Sequence, residues 1–165
     1  MFDLHHFLGL LADDKYLNES LLSEKEFIIT SLPPFYLAAK LAVGKYKSSE
    51  VTTAFIKKHL IINTKTQVSA QLEQEIVEAL AMARFLDCYF AATKTTIGPL
   101  HGLPIGNSQL EIVKRDYQVD DDALGVVKLN LAHYDLSGSF SGPSSPRLSP
   151  NTCTSPDASP LDVQC

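Results

Sequence analysis

Few side chains in this sequence are of types and spacings that do chemistry. His101 and Ser108 lie seven residues apart across a turn-rich loop. A serine–histidine site would also need an acidic residue to orient the imidazole, and none stands close by in the sequence. Asp120, Asp121 and Asp122 form a triple acid. A divalent cation takes a spaced set of oxygen ligands. None accompanies this run, so an Asp N-cap with solvated neighbours is expected. His5 and His6 are adjacent and would point about 100° apart on a helix, whereas a metal pair uses i, i+4 spacing. The cysteines, Cys88, Cys153 and Cys165, have neither paired nor metal-ligand spacing. An odd number of thiols without a secretory signal fits a reducing, cytoplasmic setting. The expectation is no metal and no cofactor.

The stretch that could position such groups is Thr95–Gly106, TTIGPLHGLPIG. Gly98, Gly102 and Gly106 alternate with Pro99, Pro104 and the apolar Leu100, Leu103 and Ile105. This composition predicts a rigid, tightly turned loop resting on an apolar surface. A long helical pattern precedes it, residues 73–92, with Ile76, Leu80, Ala83, Leu86 and Phe90 at 3.6-residue spacing. Cys88 is expected there as a small, buried or half-buried side chain. Arg84 and Asp87, i and i+3, are neighbours able to pair on a solvated face. After the loop, Leu110–Val113 has β character.

Upstream, residues 1–12 predict a short amphipathic helix, and residues 13–25 a polar loop. Residues 24–32 predict a short helix or an extended arm. Pro34 opens a helix to Val43, with Gly44 as its left-handed terminator. Ser48 is expected as the N-cap of the next helix, with Glu50 in its first turn and Lys57, Lys58 and His59 in its last. Thr66–Leu72 is expected to hold a short strand.

The composition bounds the function. The net charge of −5 and the absence of a basic stripe argue against nucleic acid. No apolar run reaches the length of a membrane span. Residues 137–165 change character: 17 of 29 are Ser, Pro, Gly or Thr, and five of the nine prolines lie there. Such a segment buries too little apolar surface to offset its ordering entropy, so a disordered tail is expected. Its Ser145, Ser149, Ser155 and Ser159 each precede proline, the context of proline-directed phosphorylation.

The motif Gly98-Pro99-Leu100-His101-Gly102-Leu103-Pro104-Ile105 resembles the opening of the amidase-signature family, specifically its fungal acetamidase-like members. Ser48-Ser49-Glu50-Val51-Thr52-Thr53-Ala54-Phe55 is similar to a helix start of that family. Leu86-Asp87-x-Tyr89-Phe90-Ala91 precedes the loop in similar order and spacing. The resemblance covers Ser20 to Val127.

It implies an α/β fold: the helical N-terminal portion of an α/β/α sandwich, with an incomplete sheet. Residues 1–33 would be an arm, 34–127 the amidase-like region and 137–165 the tail. It implies hydrolysis of carboxylic amides by a Ser–cis-Ser–Lys triad, in which a largely neutral lysine takes a proton from the bridging serine. Glycine-rich backbone N–H groups would stabilise the oxyanion. The family continues Ile-x-x-Lys-Asp. Here Ser108 stands at the lysine position and Gln109 at the aspartate position. Lys114, placed on a strand, would lie about 20 Å away. The later glycine-serine signature is absent.

No residue is therefore expected to be catalytic. Gly98, Pro99, His101, Gly102 and Pro104 are expected to shape the loop. A small amide substrate is expected only for intact relatives. The boundary near Ser137 is most simply explained by a mis-spliced, frameshifted or degenerated gene. The alternative is a non-enzymatic helical interaction module with a phosphorylatable Ser-Pro tail, associating through exposed apolar helix faces.

Overall fold

The computed structural model describes residues 1–13, 21–63 and 67–131. The tail from Ser137, with its four Ser-Pro sites, Cys153 and Cys165, lies outside the described residues, as do Asp14–Ser20 of the polar loop.

The N-terminal half is a set of capped helices. α1 (Leu4–Ala12) starts at Asp3, whose Oδ1 accepts from the His6 N–H at 3.0 Å. α2 (Glu24–Ser31) starts at a capping box. The Glu26 N–H donates to Ser23 Oγ at 3.2 Å and the Ser23 N–H to Glu26 Oε2 at 2.9 Å. This satisfies two otherwise orphaned donors, so a segment with weak amphipathic spacing forms a helix, not an extended arm. α3 (Pro34–Ala42) has Pro34 in its first turn and stops at Gly44, φ +69°. α4 (Ser48–Ile62) and α5 (Ala70–Thr93) pack on each other and form the centre of the core. Ile76, Leu80, Ala83 and Leu86 of α5 share one buried cluster with Val51, Ala54, Ile56 and Leu60 of α4. Each large aliphatic side chain so buried contributes about 1.5–3 kcal/mol. Phe90, at the end of the α5 stripe, is half-buried.

The Gly/Pro loop leads into β1 (Pro104–Ile105), followed by α6 (Asn107–Tyr117), α7 (Asp121–Leu124) and β2 (Val127–Lys128). β1 and β2 are parallel, with Pro104 opposite Val127 and Ile105 opposite Lys128. The parallel direction requires the crossover that α6 and α7 supply. The fold is thus α/β, mostly helical, with a two-stranded sheet among the described residues.

Several sequence expectations are corrected. Leu110–Val113 is helical, inside α6. Leu110 and Val113 are buried while Ile112 is 45% exposed. A strand would have buried Leu110 and Ile112 together; i, i+3 burial is the helical period. Lys114 and Arg115 in the last turn complement the helix dipole, and Gln118 at φ 54° ends it. Thr66–Leu72 yields no strand among its described residues, because α5 begins at Ala70 with Ser69 as N-cap. Ser48 is the first residue of α4, with Lys47 in the N-cap position. Cys88 is exposed, because it lies across α5 from Leu86 and the buried stripe.

Candidate functional site

The Gly/Pro loop is stapled on two sides. On one side its backbone joins the α7–β2 segment. The Leu100 N–H donates to the Leu124 carbonyl at 3.2 Å, the Gly102 N–H to the Gly125 carbonyl at 2.8 Å, and the Val127 N–H to the Leu103 carbonyl at 2.9 Å. Gly98 lies so close that a Cβ there would be 2.0 Å from the Ala123 carbonyl oxygen. On the other side Gly102, at φ +77°, rests on the start of α4. A Cβ there would be 2.0 Å from Ser48 Oγ. Glycine is required at both positions, by contact at Gly98 and by contact and left-handed conformation at Gly102. Leu100, Leu103, Pro104 and Ile105 are buried; Pro99 is exposed.

His101 is buried, with 3% of its surface exposed. Its Nδ1 accepts from the Ile97 N–H at 3.2 Å. The proton of the neutral ring is therefore assigned to Nε2. The ring packs against Phe90, centroids 6.0 Å apart, and Tyr89, 6.5 Å. Burial pushes its pKa below the ordinary histidine value; the Asp87 charge and a hydrogen bond to the Leu86 backbone oppose this without reversing it.

Asp87 is the residue that sequence reasoning undervalued. Its carboxylate does not serve Arg84. It accepts from the Ser48 N–H at 2.6 Å, the Ser49 N–H at 3.1 Å and Ser49 Oγ at 2.6 Å. Lys47 at the N-cap has no acceptor to offer the free N–H groups of α4. A distant carboxylate takes the role a capping side chain normally plays, where the helix dipole also favours negative charge. The available signal was a helix start without a Ser, Thr, Asp or Asn immediately before it. Asp87 of α5, α4 and His101 thus form one junction.

The residues where catalysis would be sought lie elsewhere. Ser108 is exposed in the first turn of α6, and Gln109 is half-buried beside it. Lys114 is on the same helix, so the separation of about 20 Å expected for a strand is corrected to a rise of about 9 Å. Six residues also rotate it about 240° from Ser108, onto another face. There its Nζ meets Glu111 Oε1 at 3.3 Å. The structure does not bring Ser108, His101 and Lys114 together. Asp120 occupies the N-cap position of α7.

Two large cavities lie among the described residues, beside any smaller ones. One, of about 820 Å³, opens at the carboxyl ends of β1 and β2, where ligands commonly bind in open parallel sheets. Its polar lining includes Glu75, Glu78, Asn107, Asp122, Lys128 and Asn130. Asn130 Oδ1 accepts from the Asn107 N–H at 2.8 Å, tying the start of α6 to the end of β2. The other, of about 1040 Å³, lies between α1, α2, α4 and α5. It is flanked by the Lys57–Glu26 pair at 2.6 Å. Neither cavity is lined by His101 or Ser108.

No family model matches the chain. Among curated proteins, it is 45% identical over 85 residues to an acetamidase of Emericella nidulans, covering 52% of this chain and 15% of that protein. It is 39% identical over 98 residues to an amidase of Gibberella moniliformis, covering 59% and 18%. It is 42% identical over 85 residues to an acetamidase of Aspergillus oryzae, covering 52% and 15%. A solved fatty acid amide hydrolase is similar at 30% identity with a TM-score of 0.45, over 64% of this chain and 19% of that one. The chain spans less than a fifth of the length of each of these proteins. Over about half of its own length, the chain is thus similar to curated acetamidases and amidases.

Proposed function

We propose that this chain is an amide hydrolase by descent that does not hydrolyse amides as it stands. The observation that carries the reading is Ser108 at the position where the resemblance calls for a lysine. A serine hydroxyl has no accessible conjugate base near neutral pH, so it cannot serve as the resting base for a second serine. Lys114 is no replacement, because it lies on another face of α6, paired with Glu111. His101 is no replacement, because its buried ring already accepts from a backbone N–H. Gly98, Pro99, His101, Gly102 and Pro104 serve the loop's shape.

The test is ammonia release from acetamide by the purified full chain. No release above a buffer control is expected. Protein-dependent turnover that disappears on changing Ser108 or His101 would overturn the reading.

A second reading is association through apolar helix faces. It is favoured by Phe27, Phe35 and Tyr36 on α2 and α3, which are 62%, 64% and 60% exposed. Larger exposed apolar patches commonly mark interaction surfaces. Sedimentation at increasing concentration checks it: a mass that stays that of one chain counts against self-association.

A further inference from the structure

We propose that His101 is an acid-sensitive latch, fastening the entry of the Gly/Pro loop at Ile97 when neutral and releasing it when protonated. Within the loop, the bond that ties its entry to the His101 ring has a fixed direction. The Ile97 N–H donates to Nδ1 at 3.2 Å. A proton on Nδ1 places two donors face to face, and the bond becomes a repulsion. The imidazolium cannot be solvated in place, because only 3% of the residue is exposed and Phe90 and Tyr89 pack against the ring. The charged form is therefore accommodated by moving the ring, and the loop with it.

The surrounding groups set the strength of this response. Asp87 of α5 is the charged side chain that acts on the ring, and its charge favours the imidazolium. It is already engaged by the Ser48 and Ser49 N–H groups and Ser49 Oγ, which lowers its capacity to stabilise a second partner. Tyr89 is the other titratable group against the ring. From α4, the neutral Ser48 lies beneath Gly102. From the α7–β2 junction Gly125, which carries no side chain, approaches His101, so that a Cβ on it would lie 3.3 Å from His101 Cα. Burial outweighs the Asp87 charge, and the folded protein prefers the neutral ring.

The sign follows. The open state has an ordinary histidine and binds protons more readily than the closed state. The latch is fully engaged above the ordinary histidine value. It weakens as pH falls below that value towards the depressed value of the closed state. In that window the opening constant rises by about tenfold per pH unit.

Amide hydrogen exchange of the full chain between about pH 7.5 and pH 5 tests this across the histidine range. After correction for intrinsic exchange, Ile97 should lose protection on acidification, while Ala83 and Leu86 in the middle of α5 keep theirs. The His101→Asn variant retains an acceptor at the δ position and does not titrate, so its Ile97 protection should be independent of pH. A flat Ile97 profile in the natural chain overturns the proposal. So does a parallel loss at Ala83 and Leu86, which would mean global unfolding. If the variant does not fold, the ring nitrogen shifts of the natural chain decide. A proton on Nε2 at neutral pH supports the latch, and one on Nδ1 refutes it.

Discussion

The Gly/Pro loop and the helix that follows it are neighbours in sequence and opposites in constraint. From Leu100 to Gly106 every residue is buried, and the backbone is hydrogen-bonded to the α7–β2 segment. From Asn107 to Ser108 the chain is exposed, in the first turn of α6. The loop has close-contact glycines and a directed histidine, and Asp87 of α5 beside it caps α4. Ser108 has none of these restraints. The loop is specified by contacts, while the position that the resemblance assigns to a lysine is exposed to solvent. The two segments differ because the loop packs at the α4–α5 junction and the first turn of α6 does not.

The largest expected effect falls on the loop. Gly98→Ala would drive a Cβ to 2.0 Å from the Ala123 carbonyl oxygen and 2.6 Å from the Leu124 carbonyl. Both are backbone atoms with little freedom to move. Destabilisation of about 3 kcal/mol or more is expected in urea denaturation. A loss below about 1 kcal/mol would show the loop is far looser than drawn.

Asp87→Ala comes next. It removes an acceptor from three donors at the start of α4. Hydrogen bonds to a charged, part-buried acceptor are worth about 1.5–3 kcal/mol, so a loss in that range is expected. The Asn variant, which keeps one oxygen, should recover part of it. Equal losses for Ala and Asn would mean that charge, and not hydrogen bonding, holds the junction.

A smaller effect is expected away from the loop, at Glu26→Gln. Burial by itself would raise the Glu26 carboxyl. Hydrogen bonds from Lys57 and Ser23, with the Lys57 charge, outweigh burial and hold it below the ordinary carboxylate value. The stability it contributes is present above the unfolded-state value and is lost as pH falls through the depressed folded value. A difference of about 1 kcal/mol between natural chain and variant is expected near neutral pH, closing in acid. A gap independent of pH would refute the ion-pair account.

Ser108→Ala should change stability by less than about 0.5 kcal/mol, the range of an exposed substitution without special contacts. A loss comparable to that of Gly98→Ala would abolish the contrast between loop and helix.

Much of this was legible in the sequence. The rigid loop, the α5 stripe from Ile76 to Leu86, Pro34 at a helix start and Gly44 at its end are local signals, and the structure agrees with each. Local signals misled where they were short or balanced. The four residues Leu110–Val113 carry too little periodicity to separate strand from helix, and the burial of Leu110 with Val113 settled it. Cys88 was assigned by residue type when its angular position on α5 should have decided.

What the sequence determined by itself is the set of local conformations: where helices can start and stop, and where only glycine and proline permit a turn. It also places Ser108 where the resemblance calls for a lysine, and the proposal of inactivity rests on that. What only the tertiary structure decided is which groups meet. Asp87 reaches Ser48 and Ser49 across 39 and 38 positions of sequence, and Gly102 rests on Ser48. No periodicity encodes such a meeting, because it depends on how two packed helices are aligned. The same alignment turns His101 from a loop residue into a buried acceptor. Burial and hydrogen-bond direction are properties of the assembled core, and they give that residue its response to acid.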